Sequence, residues 1–497
     1  MRESKFSDFR VLLVYANTPM EPLMPLGIAS IATVLQQNGF TVKLFDTTFY
    51  KAAAGSNSQS ARAYSLQVNP VDYSEVGLKS IDGDPVRDFV TMVHDFRPHL
   101  IGLSCVELTY LQGLELLKSV KHLKIPNIVG GCFATFSPDE VISNDFIDMV
   151  CVGEGEKATV EVAKRMFLND ETADIPNLWV KRDRTVIKCG DTDLLDVNLL
   201  AVPKFDIFAP ERIFRAMAGK IYRMLPIEFS RGCPYKCTYC SAPVYAKKFR
   251  DTGKWLRFKS IDRIFNEIDF YVKEYNAEYF YFISETFLAM SKTHKQEFYK
   301  RYEKYKIPFW FNTRPETVNA EDISCLEDVG CHRISVGIES GNEEFRRRML
   351  KRNYSNDDVL RAVDTVLKSK IQLSVNNMIG FPDETRDMIF DTIDLNRKFK
   401  ANSHSVSIFQ PFRGTELYDY CVSKGYWDPE KLCTESFAVP VLEMPTLTKE
   451  EVSGLYRTFN LYIKMDKAFW PAIKKAEKLD KAGDEIFSNL AQKYLTV

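Results

Sequence analysis

Short apolar segments alternate with amphipathic segments over residues 10–165 of this 497-residue chain. The apolar segments read VLLVYA, VKLFD, LIGLS, NIVGG and DMVCVGEG. Strands of a parallel sheet that is covered on both faces are apolar throughout, whereas a helix lying on that sheet repeats its apolar residues with helical spacing. The alternation therefore predicts an α/β domain with a flavodoxin-like (Rossmann-type) doubly wound sheet over residues 1–165.

One helix of this domain can be bounded from the sequence. Ile28, Ile31, Ala32 and Leu35 follow the i, i+3, i+4, i+7 spacing of a helix face, and the following Asn38-Gly39 is a common signal for a helix end. Residues 47–85 are polar and irregular, and we interpret them as an excursion between two βα units.

Polar residues and glycines follow the apolar segments at the points where strands should end. They are Asn17, Ser104, Gly130, Gly131, Gly153, Glu154 and Gly155. The carboxyl ends of parallel strands meet at one edge of an open sheet, and ligands bind at that edge. We therefore expect a ligand at this edge.

A second alternating series begins near residue 225. Its apolar segments read PIEFS, YFYFIS, FWFNT, RISVGIES, LSVNNMIGF and SVSIFQ. Six βα units predict a partial (β/α)6 barrel over residues 221–425, with function at the rim formed by the strands' carboxyl ends. The alternation is lost over residues 166–220, which we interpret as a connecting segment. Residues 426–497 predict a helical C-terminal region.

The composition excludes several classes of protein. The formal net charge is -1, which argues against nucleic acid as an obligatory partner. The apolar runs are too short to span a bilayer, and the charged N-terminus does not resemble a signal peptide. We therefore expect a cytoplasmic protein whose 11 cysteines are reduced thiols.

Three of these cysteines, Cys233, Cys237 and Cys240, stand close together in the segment RGCPYKCTYCS. A structural zinc site needs four ligands, usually from two paired motifs, and no second Cys-x-x-Cys pair exists in the chain. Three neighbouring thiolates suit three corners of a four-iron four-sulfur cluster and leave one iron open. The sequence therefore predicts a cluster with an iron that can bind a substrate or cofactor.

The Cys-x3-Cys-x2-Cys spacing resembles that of the radical S-adenosylmethionine (SAM) enzymes. The resemblance implies that the open iron binds SAM and that one electron cleaves SAM to a 5′-deoxyadenosyl radical. Further segments that match the family by position are FISETFL, GIESG, MIGFPDET and QPFRGTELYDY. They imply SAM contacts at the residues Glu285, Gly337, Glu339, Ser340 and Gly380. Among these, Glu285 would contact the amino group of SAM, and Glu339 its ribose.

The first domain resembles the cobalamin-binding domain that precedes the barrel in one subgroup of these enzymes. The resemblance rests on NTPMEPLMPLGIAS, LIGLS, GGCFAT and VCVGEGE. It implies cobalamin contacts at Asn17, Pro25, Leu26, Gly27, Ser104, Gly130, Gly131, Thr135, Gly153, Glu154 and Gly155. No Asp-x-His-x-x-Gly loop follows the first strand, and His99 precedes a strand at the wrong edge, so we expect no protein histidine on cobalt. Cys132 and Phe133 depart from the proline and histidine that are frequent in relatives.

The two resemblances together imply a cobalamin-dependent radical SAM methyltransferase that acts on an unactivated carbon or phosphorus. An alternative is radical dehydration, cyclisation or rearrangement on the same architecture, and an alternative of another class is a cobalamin or redox sensor without turnover. A tRNA-modifying enzyme is disfavoured by the neutral charge. We expect a small-molecule, natural-product-like substrate and an electron donor such as flavodoxin or ferredoxin, and neither a nucleic acid nor a membrane as partner.

Two basic segments remain open to two interpretations. They read KKFR (residues 247–250) and RRRMLKR (residues 346–352) and follow the cysteine motif and the fourth barrel strand. Either could hold the SAM carboxylate or a phosphorylated substrate. Solvated helix or loop faces are the commoner explanation for such runs, and we favour it.

Overall fold

The computed structural model describes residues 6–21, 23–51, 58–183 and 185–495 of the chain, with the side chains of residues 58 and 59 left out. The chain divides into two compact units. Unit 1 comprises residues 1–58, 72–215 and 248–255. Unit 2 comprises residues 59–71, 216–247 and 256–497.

The sheet of unit 1 has seven strands in the described residues, in the order β2-β1-β3-β4-β5-β6-β7. They are β1 (Arg10–Tyr15), β2 (Thr41–Asp46), β3 (Leu100–Ser104), β4 (Asn127–Gly130), β5 (Met149–Cys151), β6 (Leu178–Arg182) and β7 (Thr185–Lys188). Strands β1 to β5 pair in parallel. This 2-1-3-4-5 order is that of flavodoxin-like sheets, so the predicted fold of the first domain is confirmed.

The first seven helices in chain order are α1 (Leu26–Gln37), α2 (Ser58–Tyr64), α3 (Pro85–Phe96), α4 (Glu107–Ser119), α5 (Cys132–Phe136), α6 (Pro138–Ser143) and α7 (Glu156–Leu168). The predicted helix end is confirmed, because α1 stops before Asn38 and Gly39 adopts a left-handed φ of 91°. Ile28, Ala32 and Leu35 of α1 are buried, as their spacing predicts, whereas Ile31 is only half-buried.

The segment 166–220, predicted as a connection, contains structure that belongs to unit 1. Strand β6 pairs antiparallel with β5 through Met149 and Val180, and β7 folds back on β6 as a hairpin. The sequence does not reveal the outer strand β7, because all four of its residues are exposed and it therefore has no apolar periodicity. Two antiparallel strands therefore extend the parallel sheet at its β5 edge.

The main sheet of unit 2 also has seven strands in the described residues, in the order β16-β15-β14-β13-β12-β9-β8. The strands after β7 are β8 (Phe214–Met217), β9 (Lys220–Glu228), β10 (Ser230–Arg231), β11 (Arg257–Phe258), β12 (Tyr279–Ile283), β13 (Phe309–Thr313), β14 (Cys331–Glu339), β15 (Gln372–Ile379) and β16 (Ser403–Ile408). β9 and β12 to β16 form a parallel series, and β10 pairs with β11. This series is the half-barrel that the six βα units predict.

The remaining helices are α8 (Ala242–Lys248), α9 (Ile261–Tyr275), α10 (Lys292–Tyr302), α11 (Ala320–Asp328), α12 (Glu343–Arg348), α13 (Asn356–Leu367), α14 (Arg386–Asn396), α15 (Glu416–Ser423), α16 (Lys449–Lys464), α17 (Trp470–Ala476) and α18 (Lys481–Leu495). The predicted helical C-terminal region packs on the half-barrel: Leu455 and Phe459 of α16 share a core with Ile408 of β16. In the part of the chain that the structure describes, no helix has the length and apolar character needed to cross a membrane.

The irregular excursion of the first domain covers the edge of the half-barrel. The Gln67 side-chain oxygen accepts hydrogen bonds from Val406 N at 3.0 Å and Ser405 Oγ at 3.2 Å on the edge strand β16. Asn460 of α16 also donates to the carbonyl of Ser65. An edge strand with free N–H groups tends to pair with other chains. Residues 59–71 therefore serve unit 2, although both neighbouring segments of the chain belong to unit 1.

Candidate functional site

The three cysteines of the motif lie in the loop that leads from β9 and β10 into α8. Gly232 adopts a φ of 98°, a left-handed conformation that turns the chain into the loop. Cys237 is buried, whereas Cys233 and Cys240 are partly exposed. The loop therefore places all three thiols beyond the carboxyl end of β9, at the rim where barrel enzymes hold their ligands.

Buried Thr238, between the second and third cysteines, fixes the loop to two other parts of unit 2. Its hydroxyl donates to Met349 O at 2.6 Å, and its N–H to Leu350 O at 3.4 Å. Its carbonyl accepts from Leu417 N at 3.1 Å. These bonds satisfy the polar groups of a buried loop residue and hold the cysteines in place.

The charges around the thiols are not symmetric. Burial raises the pKa of Cys233, and burial raises the pKa of Cys240 to about 12. The nearby Glu285 carboxyl adds to both shifts. Cys237 instead faces two guanidinium groups: Arg314 Nη1 donates to its sulfur at 3.1 Å, and Arg352 Nη1 lies at 3.7 Å.

The other two sulfurs accept weaker, neutral contacts. Ala242 N donates to Cys240 Sγ at 3.4 Å. The backbone N–H of Tyr235 donates to Cys233, and the Thr286 hydroxyl lies 3.9 Å from its sulfur. Each of the three sulfurs therefore accepts at least one hydrogen bond from an N–H group. Hydrogen bonds to the sulfurs of a cluster help to set its reduction potential.

Glu339 ends β14 in a left-handed conformation with a φ of 65°, which is uncommon for a residue with a side chain. Its carboxyl lies 3.6 Å from Arg352 Nη1 and accepts a hydrogen bond from Tyr239. Burial raises the pKa of Glu339, and Arg352 and Tyr239 oppose that shift. A Cβ on Gly337 would lie 2.5 Å from the Glu339 carboxyl, so this glycine makes room for it.

Ser340 is fully buried directly after Glu339. Its carbonyl accepts from Arg346 Nη1 at 2.6 Å. Arg352 Nη2 donates to Gly337 O at 2.6 Å, and Tyr354 donates to the carbonyls of Gly337 and Ile338. These contacts fix the backbone of the turn that presents Glu339.

Glu285 lies two residues beyond the end of β12, at the same rim. Burial, and then the negative charge of Glu228 at the end of β9, raises the pKa of Glu285 to about 7. A carboxyl with such a pKa exchanges a proton near neutrality. A positively charged ligand group beside Glu285 would favour its ionised form.

The turn after β15 is built around a buried carboxyl. Glu384 Oε2 accepts from Gly380 N at 2.6 Å and from Phe381 N at 3.2 Å. Gly380 has a φ of 75°, which favours glycine at this position. Burial raises the pKa of Glu384 to about 8. The predicted SAM-contact residue Gly380 is therefore held by a side chain four residues further on.

Sequence reasoning missed the two arginines on Cys237. Arg352 belongs to the segment RRRMLKR, for which we predicted solvent-exposed side chains. That prediction is wrong for Arg346 and Arg352, which are buried. It is right for Arg347 and Arg348, which are exposed. A basic run does not show which of its members point inward. Arg314 directly follows β13, and this strand-end position was the available signal. Lys247, Lys248 and Arg250 of KKFR are exposed, as predicted.

The carboxyl edge of the unit 1 sheet carries a buried polar network. The Asn17 amide donates to Glu21 O at 3.0 Å and Thr48 Oγ1 at 2.8 Å. Arg212 Nε donates to Asp46 Oδ2 at 3.0 Å, and its Nη2 donates to the same Thr48 oxygen at 3.0 Å. This network fixes the loop after β1. His99 lies at the opposite edge and accepts from Arg10 N, as the sequence predicts.

The glycines at this edge have different surroundings. A Cβ on Gly131 would lie 2.4 Å from Cys105 O, and one on Gly153 would lie 2.7 Å from the Phe249 ring. Protein atoms therefore already use the space beside these two glycines. A Cβ on Gly27 would meet nothing within 4 Å, and one on Gly130 only a side-chain atom at 3.7 Å. The backbone at Gly27 and Gly130 is therefore less crowded than the backbone at Gly131 and Gly153.

Two further predicted residues of this edge, Thr135 and Glu154, hold its loops together. The Thr135 hydroxyl donates to Gly131 O at 2.9 Å and accepts from Gly153 N at 3.0 Å. Glu154 Oε2 accepts from Leu195 N at 2.8 Å.

The donor set at the rim of unit 2 fits an iron-sulfur cluster, because one loop supplies three free cysteine thiols as ligands. The described residues contain no group of three or more His, Cys, Asp or Glu side chains arranged around a single metal ion. Glu285, Glu339 and the turn at Gly380 stand at the same rim, where they could hold a bound SAM.

Two family models match the chain. The radical SAM superfamily matches residues 227–395, and the B12-binding domain matches residues 12–163. These ranges fall on the half-barrel and on the flavodoxin-like sheet, respectively.

Curated relatives and solved structures agree with the two matches. An uncharacterised methyltransferase, PH0819 of Pyrococcus horikoshii, is 24% identical over 77% of this chain and 83% of its own length. Cytidylyl-2-hydroxyethylphosphonate methyltransferase of Streptomyces wedmorensis is 21% identical over 90% of this chain and 88% of its own length. The methyltransferase TsrM of Kitasatospora setae, with cobalamin and a [4Fe-4S] cluster bound, aligns with a TM-score of 0.64 at 16% identity, over 97% of this chain and 99% of that one. The cobalamin-dependent radical enzyme OxsB aligns with a TM-score of 0.66 at 14% identity, over 99% of this chain and 71% of that one.

Proposed function

Because this chain belongs to the cobalamin-binding radical SAM enzymes, we propose that it transfers a methyl group from SAM to an unactivated carbon or phosphorus atom of a small molecule. One observation carries the proposal: Cys233, Cys237 and Cys240 stand with Glu285 and Glu339 at one rim of unit 2, in a chain whose other unit has the B12-binding fold. When bound, the cluster and SAM supply a 5′-deoxyadenosyl radical, and cobalamin supplies a carrier for the methyl group.

The residues of unit 2 have separate tasks in this proposal. Cys233, Cys237 and Cys240 bind the cluster. Glu285 would accept a hydrogen bond from the amino group of SAM, and Glu339 would accept one from its ribose. The turn at Gly380, held by Glu384, would contact the adenine. Their positions after separate parallel strands support this division, because those strand ends meet at one rim.

In unit 1, the backbone near Gly27 and Gly130 would lie against cobalamin, and Pro25, Leu26 and Ser104 would contact it. The loop from Asn17 to Leu26 would lie under the corrin ring. It contains no imidazole, so no protein nitrogen would bind cobalt from this loop.

The relatives support a small-molecule substrate. One relative is named for a cytidylyl phosphonate, and one TsrM structure contains tryptophan as substrate. We propose a polar metabolite of similar size. A reduced flavodoxin or ferredoxin would supply electrons, and the cluster thiols would be maintained in the cytoplasm, where thiols stay reduced.

The experiment is anaerobic turnover with methyl-labelled SAM and a panel of small amino acids and phosphonates. We expect S-adenosylhomocysteine and 5′-deoxyadenosine in equal amounts, together with a product that contains the labelled methyl group. The matched control changes all three cluster cysteines to Ala and should form no 5′-deoxyadenosine.

The second candidate function, a non-methylating radical reaction, is supported by relatives named as anaerobic magnesium-protoporphyrin IX monomethyl ester cyclases. That function predicts 5′-deoxyadenosine with an altered substrate and no labelled product. A protein that binds both cofactors but forms neither SAM-derived product would instead be a sensor.

A further inference from the structure

Cys237 differs from the other two cysteines in the charge of its neighbours. Arg314 donates to its sulfur at 3.1 Å, and Arg352 lies at 3.7 Å, whereas the donors to Cys233 and Cys240 are neutral. Both guanidinium groups are buried, with 6% of each side chain exposed. Little water is therefore available to screen their charges at the sulfur.

Separate contacts hold the two arginines against Cys237. The Arg314 guanidinium stacks on the Tyr235 ring at 3.7 Å, and its Nε donates to Glu316 Oε1 at 2.7 Å. Arg352 donates to Gly337 O at 2.6 Å and to the Tyr239 hydroxyl at 3.0 Å. These contacts do not involve the sulfur, so the fold holds both guanidinium groups in place independently of Cys237.

We propose that Arg314 and Arg352 raise the reduction potential of the iron-sulfur cluster by donating hydrogen bonds and positive charge to the sulfur of Cys237. This inference rests on the cluster of the proposed function and not on the identity of the substrate or on methyl transfer. An oxidised cluster with three thiolate ligands is already an anion, and reduction adds one electron from a low-potential donor such as a reduced ferredoxin. Cations and hydrogen bonds at a ligand sulfur stabilise the added charge.

The carboxylate beside Arg314 offers a variant that should shift the reduction potential in the opposite direction. Glu316 accepts from Nε of Arg314, whereas the Cys237 sulfur accepts from Nη1, so the Glu316 carboxylate offsets part of the guanidinium charge without contacting the sulfur. Removal of the Glu316 charge should raise the potential further, whereas removal of the Arg314 charge should lower it. Arg314 and Arg352 are thus positioning residues whose action is electrostatic, and a general loss of packing would not produce shifts of opposite sign.

The test is a potentiometric titration of the full chain after anaerobic iron-sulfur reconstitution, with the electron paramagnetic resonance signal of the reduced cluster as readout. The variants are Arg314→Met, Arg314→Lys, Arg352→Lys and Glu316→Gln. The matched control is Arg348→Met, which removes an exposed charge from the same region without a contact to sulfur. Iron content is measured for every sample, so failure to bind a cluster is seen separately from a shifted potential.

We expect a lower midpoint potential for Arg314→Met, a smaller decrease for Arg314→Lys and Arg352→Lys, a higher potential for Glu316→Gln, and no shift for Arg348→Met. Wild-type potentials in all cluster-containing variants would overturn the proposal, as would a decrease for Glu316→Gln. If Arg314→Met binds no iron, the comparison of Arg314→Lys with Glu316→Gln decides. Loss of methyl transfer with these shifts intact would contradict only the proposed function.

Discussion

The buried carboxyl of Glu384, which holds the turn at Gly380, predicts how the stability of the protein depends on pH. Its Oε2 accepts two backbone N–H groups, and its side chain is fully buried. Burial raises its pKa from 4.5 to about 8, although the two N–H groups oppose the shift. The folded protein therefore retains a proton that the unfolded chain releases, and this group lowers the free energy of unfolding as pH rises from about 5 to about 8.

The magnitude follows from the size of the shift. Each pKa unit corresponds to about 1.4 kcal/mol, so the free energy of unfolding should fall by about 5 kcal/mol between mildly acidic and mildly alkaline pH. Glu384→Gln stays neutral and keeps an oxygen for both N–H groups. We expect the variant to lose this part of the pH dependence and to be more stable than wild type above about pH 8.

The assay is urea unfolding of both proteins at several pH values, followed by circular dichroism. Glu384→Ala is the matched control, because it leaves two buried N–H groups without an acceptor and should be destabilised at every pH, by about 1–3 kcal/mol for each group. If the wild type and Glu384→Gln have parallel pH profiles, Glu384 is not buried as a neutral acid and the reasoning is refuted.

Three further predictions concern SAM binding by Glu339, the ligands of cobalt, and the Arg212–Asp46 ion pair. Glu339→Gln should weaken SAM binding about 10- to 100-fold, because a charge-assisted hydrogen bond of about 1.5–3 kcal/mol is lost, and should leave the cluster spectrum unchanged. If calorimetry gives the wild-type affinity for SAM, Glu339 does not belong to the SAM site. With cobalamin bound, the electron paramagnetic resonance spectrum of the cobalt(II) form should show no splitting that changes when the protein is labelled with nitrogen-15, because the loop after β1 contains no imidazole; a splitting that depends on the label would contradict this prediction. Arg212→Met should destabilise unit 1 by about 3–5 kcal/mol, because it leaves Asp46 without its buried partner, and Arg212→Lys should destabilise it less. If the wild type and both variants have equal thermal stability, this ion pair does not hold the loop after β1.

Local patterns in the sequence were sufficient for the parallel sheets and the cysteine loop. The end of α1 at Asn38-Gly39 is a signal within a few residues, and each buried strand is a short apolar run. The order of the first five strands is that of the predicted flavodoxin-like sheet, one of the few arrangements that right-handed βα units allow. These features depend on neighbours in sequence, which are visible without a structure.

Features that depend on distant partners could not be predicted. Arg352 looks like its exposed neighbours in the sequence, and only the fold shows that it faces Cys237. Gly153 has no side chain because the ring of Phe249 fills that space, nearly a hundred residues later. Residues 59–71 interrupt unit 1 yet cap the edge strand of unit 2, and no local pattern encodes that partner.

The central claim is that one chain holds both an iron-sulfur cluster and cobalamin, and metal analysis of a single purified sample tests it directly. Protein reconstituted anaerobically with iron, sulfide and hydroxocobalamin should contain about four irons and one cobalt per chain, by the stoichiometry of one cubane cluster and one corrin. The variant with Cys233, Cys237 and Cys240 changed to Ala should lose the iron and retain the cobalt. Cobalt absent from the wild type, or iron retained by the triple variant, would contradict the account.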